Sequence, residues 1–163
     1  MAAACAVAGA GSAPLLSGAA AAAALARAGV RLCAFDFDLT LTRIHTVGAR
    51  IPAEAVPLRE PLSADFFDLP FVAELLAALP AAGIAPHIVS FGRYAVIQAY
   101  MDRALGRGAL GRASISTPSV VGVPDGCYVA VGADKVGSKV PQLQALAAAT
   151  GVPAAATLFL DGA

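Results

Sequence analysis

Residues 30–40 read VRLCAFDFDLT, and the fold turns on them. The run opens after Gly29, is mostly apolar through Phe37, and closes on two acids, Asp36 and Asp38. A short, near-continuous apolar run of this kind reads as a strand buried on both faces, as in a parallel sheet. Two carboxylates spaced two residues apart on extended chain project to the same side. That closeness is costly unless a positive partner stands by, and both groups can approach one hard cation. One carboxylate can attack an electrophile while its neighbour exchanges a proton with the leaving group. The other reading of the pair is a strand-end turn in which Asp side chains serve as caps.

Outward from this strand, helix and strand signals alternate. Upstream, Ser17 can N-cap a helix through Ala28, with Gly29 just past its end. Downstream, residues 66–82 place Phe67, Phe71, Leu75 and Leu79 at helical spacing, with Asp68 as cap, Pro70 in the first turn, and Pro80 and Gly83 as the stop. A second strand is expected over residues 84–90, with Pro86 near its start, and a helix from Arg93 to Leu105 with Ile97, Met101 and Leu105 on one face. Residues 112–116 make a weaker third strand. A loop through Pro118, Pro124, Gly126 and Gly132 leads to a helix over residues 139–149, with Ser138 as its cap. Residues 157–160 (TLFL) make a fourth strand, ending at Asp161. The alternation predicts an α/β fold: a doubly wound, Rossmann-like parallel sheet in a three-layer sandwich.

The chain is 163 residues long, enough for one domain. Its 58% apolar content reflects 41 Ala residues, without which roughly a third of the chain is apolar, an ordinary share. Eleven basic residues balance eleven acidic ones, so no strong field points to nucleic acid. Cys5, Cys33 and Cys127 are isolated, which excludes a CxxC zinc or redox site and favours small buried side chains in a reducing compartment. Residues 1–16 read as a flexible Ala/Gly-rich tail, and 17–163 as the folded core, with 41–65 a small flap or linker insertion. No basic region precedes an apolar span near the start, and Arg27 and Arg31 interrupt any membrane helix. A cytoplasmic protein without a membrane partner is expected, an organelle leader being the other reading of the acid-free residues 1–29.

Chemistry in such a sheet gathers beyond the carboxyl ends of its strands. Asp36 and Asp38 follow the first strand, Ser90 the second and Asp161 the fourth, and Lys139 opens the helix leading into the fourth. Ser90 with Gly92 can offer a hydroxyl and close-lying N–H groups to an anion, or Ser90 can be the N-cap of the following helix. Lysine is scarce. Only Lys135 and Lys139 occur, and a helix start holds a side chain better than a Gly-flanked loop, which favours Lys139. His45 is placed in a loop near the possible entrance, and His87 inside a strand has a structural role.

The stretch CAFDFDLTLT resembles the first motif of the haloacid dehalogenase (HAD) superfamily, an apolar strand followed by Asp-x-Asp-x-Thr. HIVS, ending at Ser90, is similar to its second motif, GSKVPQLQAL with Lys139 to its third, and LFLD with Asp161 to the first acid of its fourth. The resemblance covers roughly residues 18–161 and implies a HAD-like core lacking the family's final elements and any large cap. It implies a Mg²⁺-dependent phosphatase acting through an aspartyl-phosphate: Asp36 as nucleophile, Asp38 as general acid and base, and Ser90 and Lys139 holding the phosphoryl group. Thr40 and Gly92 join Ser90 and Lys139 in binding substrate, and Asp36, Asp38 and Asp161 hold the metal. The expected partner is a phosphorylated substrate, small or macromolecular. The rival reading is a catalytically inactive HAD-like binding module or an incomplete fragment. A DxD glycosyltransferase is a third.

Overall fold

The structure, a computed structural model, describes residues 16–111, 114–117 and 139–162. Its centre is a four-stranded, all-parallel sheet: β1 (Leu32–Phe35), β2 (Ala85–Val89), β3 (Ile115–Ser116) and β4 (Thr157–Leu160), in the order β3-β2-β1-β4. Among the described residues, four α-helices pack around it: α1 (Gly18–Arg27), α2 (Leu69–Ala78), α3 (Tyr94–Leu105) and α4 (Val140–Thr150). A mixed α/β fold on a parallel sheet is therefore what the alternating signals build.

The pleat explains how the helices divide. Cys33, Phe35 and Ile88 face one side of the sheet and join a core with Ala22 of α1, Leu75 and Leu76 of α2, and Ile97 and Met101 of α3. Leu32, Ala34 and Val89, one residue out of phase, face the other side and meet Leu146 of α4. The chain thus adds β2 and β3 on one side of β1 and then returns to place β4 on the other. The direction of winding reverses between β1 and β4, where open α/β sheets leave a crevice at the strand ends.

Local chemistry accounts for the helix ends. Ser17 Oγ accepts the Ala20 N–H at the start of α1, and Asp68 Oδ1 accepts the Phe71 N–H at the start of α2. Gly18 is required by packing: a Cβ there would lie 2.3 Å from the Leu75 nitrogen, so α1 enters against the α2 backbone. The Gly18 N–H, free at the helix start, donates to Glu74 Oε2 of α2 at 3.0 Å.

The helix expected over residues 66–82 begins later than its apolar spacing suggests. Phe66 is buried and bridges to Thr42, while Phe67 is 51% exposed beneath the Arg43 guanidinium. Of the expected row, Phe71, Leu75 and Leu79 do meet the core, together with Val72 and Leu76, and only Phe67, which precedes the Asp68 cap, falls outside it. The first strand is also shorter than residues 30–37, since only Leu32–Phe35 pair on both sides.

Residues 41–65 are closed off by the Thr42–Phe66 bridge and contain two short 3-10 helices, Ala53–Leu58 and Leu62–Asp65. They are docked firmly. Ile51, Val56 and Leu62 enter the core, and Arg103 of α3 donates to the Val56 and Arg59 carbonyls. Asp65 takes hydrogen bonds from Arg59 and from Tyr100 Oη. Among the described residues, no helix is long and apolar enough to cross a membrane. The expected tail, the Ser138 cap, Lys135, Cys5 and Cys127 lie outside the described residues. Cys33 is free and fully buried, and burial pushes its thiol up to about 12.

Candidate active site

The parallel register brings the acids together. Phe35 pairs with Leu160, so the next residues, Asp36 and Asp161, leave adjacent strands side by side, and the Asp36 N–H continues the ladder to the Leu160 carbonyl at 2.8 Å. The helix α4 packs over the sheet, and its N-cap residue, Lys139, stands at the same edge. Lys139 Nζ lies 2.7 Å from Asp36 Oδ2 and 3.0 Å from Asp161 Oδ2, so one ammonium grips both strand ends. The rings of Phe91 and Phe159 each approach that ammonium with their centroids 5.6 Å away, adding cation–π attraction.

A pocket of about 420 Å³ opens at this point, and Asp36, Asp38, Ser90, Lys139 and Asp161 all line it. Each remaining expected residue takes a definable place. Asp38 Oδ1 accepts the Thr46 hydroxyl at 2.8 Å, and its Oδ2 lies 3.5 Å from His45 Nδ1. Ser90 does not cap α3, whose N-cap is Arg93. Its Oγ accepts the Gly92 N–H at 3.0 Å, which leaves the hydroxyl proton to donate. Gly92 and Thr40 are not among the lining residues. Gly92 orients Ser90, and Thr40 Oγ1 accepts the Gly162 N–H at 2.7 Å, tying the turn after β1 to the end of β4. Arg93 is exposed and outside the pocket. His87 is buried, its Nε2 2.8 Å from Ser116 Oγ, and burial pulls its pKa down to about 4.

The charge on Asp36 is contested. Burial pushes its carboxyl above the ordinary carboxylate range, while the Lys139 contact and the Phe37 N–H, 2.7 Å from Oδ1, pull the other way. The N–H bond fixes the carboxylate plane, and Lys139 marks the oxygen that faces the pocket.

Three carboxylates against one ammonium leave the described lining negative, unsuited to a phosphate dianion unless a further cation enters. The donors are all oxygen, the chemistry a hard divalent ion prefers. As arranged here, however, no three acidic, imidazole or thiol groups among the described residues stand close enough together to hold an ion. Lys139 bridges Asp36 and Asp161, and Asp38 turns toward Thr46.

Several participants escape a reading of the sequence. Val47 reaches the pocket, and Thr46 reaches Asp38 behind it, only because their loop folds back over the first strand's end. Gln142 is fully buried, and its Nε2 reaches the Ser90 carbonyl at 3.4 Å. The one signal for it is spacing, since a polar residue three positions after Lys139 shares its helix face. Compared with family models, with curated proteins and with solved structures, the chain finds no match in any of the three.

Proposed function

We propose that the protein is a HAD-like, Mg²⁺-dependent phosphatase that passes through an aspartyl-phosphate on Asp36. The observation that carries this reading is the single ammonium of Lys139 held against both Asp36 and Asp161, inside a pocket that also contains Asp38 and Ser90. A nucleophile, a proton carrier, a hydroxyl donor and a fixed cation are the parts that phosphoryl transfer requires.

In this mechanism Asp36 attacks the phosphorus of a bound monoester and the bond to the leaving oxygen breaks. Asp38, protonated, gives its proton to that oxygen, and the alcohol departs. The Asp38 carboxylate then takes a proton from water as the water attacks phosphorus. The bond to Asp36 breaks, and inorganic phosphate is released with Asp36 restored. Lys139 and the Ser90 hydroxyl stabilise charge on the phosphoryl oxygens throughout. The Thr46 hydroxyl orients Asp38. Asp36, Asp161 and Asp38 would be the oxygen donors for Mg²⁺, which would supply positive charge to offset that of the phosphoryl group, and holding it would require them to draw closer together than they stand here.

Turnover of p-nitrophenyl phosphate by the purified protein, with and without Mg²⁺, tests the reading. Mg²⁺-dependent hydrolysis lost in Asp36→Asn supports it. Absence of both turnover and Mg²⁺ binding would favour a non-catalytic module instead.

A further inference from the structure

Beside its charged groups and His45, the pocket carries three exposed apolar side chains. Leu39, Val47 and Phe91 line it while remaining 46%, 40% and 40% exposed. They come from three separate segments: the turn after β1, the loop docked on α3, and the turn after β2. Leu39 is held at φ 60°, in the left-handed region that L-residues rarely adopt. Its neighbours impose this geometry. A Cβ on Gly162 would fall 2.5 Å from the Leu39 carbonyl oxygen, and Thr40 fastens the Gly162 N–H. Asn, Asp or Gly would fill such a turn with less strain and without exposing an apolar side chain. The Phe91 ring stands against Lys139 Nζ, so this apolar surface begins where the phosphoryl site ends.

We propose that the pocket selects phosphomonoesters whose alcohol carries a flat or branched apolar group, aryl or aralkyl, over polyhydroxylated ones. The preference presupposes the phosphatase activity proposed above. With the phosphoryl group on Lys139 and Ser90, the alcohol portion lies against Leu39, Val47 and Phe91. A ring there removes apolar surface from water on both partners. Hydroxyls of a sugar or glycerol lying on Leu39, Val47 and Phe91 would gain no hydrogen bond from those three side chains and would lose part of their hydration without replacement.

The test is the ratio of kcat/KM for phenethyl phosphate to that for glycerol phosphate, measured with Mg²⁺. Both are alkyl esters, so an activated aryl leaving group does not decide the result. The wild-type protein is expected to favour the phenethyl ester about tenfold. Val47→Ser and Leu39→Asn, the latter chosen because Asn tolerates positive φ, should each bring the ratio closer to unity. Glycerol phosphate turnover in the same variants reports whether they remain folded. Equal or reversed kcat/KM values, or a ratio unmoved by both substitutions, would overturn the preference and leave the phosphatase reading intact. Hydrolysis of neither ester by the wild-type protein would overturn both.

Discussion

Lys139 Nζ lies 2.7 Å from Asp36 Oδ2, and both side chains are largely withdrawn from solvent, each only 11% exposed. A surface ion pair would contribute little, but here the ammonium also meets Asp161 and is flanked by two aromatic rings. The contact joins the end of β1 to the start of α4. Replacing Lys139 with Met leaves Asp36 and Asp161 facing each other without that cation. Phosphatase kcat is expected to fall about a hundredfold or more. Because Lys139 pulls the Asp36 pKa down, the acid limb of the pH–rate profile in any residual activity should move to higher pH. An unmoved limb would detach Lys139 from Asp36.

Asp36→Asn separates catalysis from stability. Burial raises the Asp36 pKa in the folded state, so the folded protein favours the protonated form. That contribution is present below the ordinary carboxylate pKa and is lost as pH rises through the folded value. At neutral pH the buried charge is therefore a cost that Asn removes. Calorimetry should show a Tm at pH 7 no lower than wild type, alongside complete loss of turnover. A Tm several degrees lower would mean that the charge stabilises the fold.

His87 gives acid sensitivity of the opposite sign. Its pKa, ordinarily 6.5, is pulled to about 4 by burial beside Ser116. Stability is present in full above the ordinary value and declines as pH falls through the window toward 4, by roughly 3 kcal/mol for this group. Urea denaturation of wild type and His87→Gln at several pH values should show a flatter dependence in the variant. Parallel curves would remove His87 as the cause.

Asp65 anchors the loop that carries His45, Thr46 and Val47. The Arg59 guanidinium holds its carboxyl below the usual range, and Tyr100 Oη donates to Oδ2 at 2.8 Å. Its stabilising effect is present above the ordinary carboxylate pKa and lost as pH falls through the depressed one. Asp65→Ala should cost about 2 kcal/mol at pH 7, less than a fully buried pair because Arg59 is partly exposed. Thermal melting would register this as a drop of roughly 5 °C. An unchanged Tm would show that the loop is held by its apolar contacts alone.

Gly162→Ala tests how tightly the two strand ends are registered. A Cβ at 2.5 Å from the Leu39 oxygen must push the chain away, and Asp161, one residue earlier, moves with it. The expected outcome is a tenfold or greater loss of kcat, since small misplacements of reacting groups are costly. Unimpaired turnover would show that Asp161 needs no such precision.

Much of this architecture is legible in the letters because each signal is local. Ser17 and Asp68 mark helix starts by the chemistry of their own neighbourhood, and TLFL in residues 157–160 is a strand with the bounds its composition suggests. The start of α2 was obscured because Phe66 and Phe67 continue an apolar run past the Asp68 cap, and only the Thr42 bridge shows where Phe66 belongs. Within the pocket, Asp36, Asp38, Ser90, Lys139 and Asp161 are placed by strand ends and a helix start, which sequence order reveals. Thr46, Val47 and the Gly162 approach to Leu39 depend on how loops return through space, and no spacing in the chain encodes that. Thr40 and Gly92 belong to the recognisable pattern, yet their observed contacts are with Gly162 and Ser90 rather than with the pocket.

The most direct measurement is chemical capture of the intermediate. The protein, turning over p-nitrophenyl phosphate with Mg²⁺, is treated with hydroxylamine, whose nitrogen displaces phosphate from an acyl phosphate and leaves a hydroxamate on the carboxyl carbon. Peptide mass spectrometry should find that hydroxamate at Asp36 and at no other carboxylate, and none in Asp36→Asn. A hydroxamate at Asp38 or Asp161, or turnover with Asp36 left unmodified, would contradict the account.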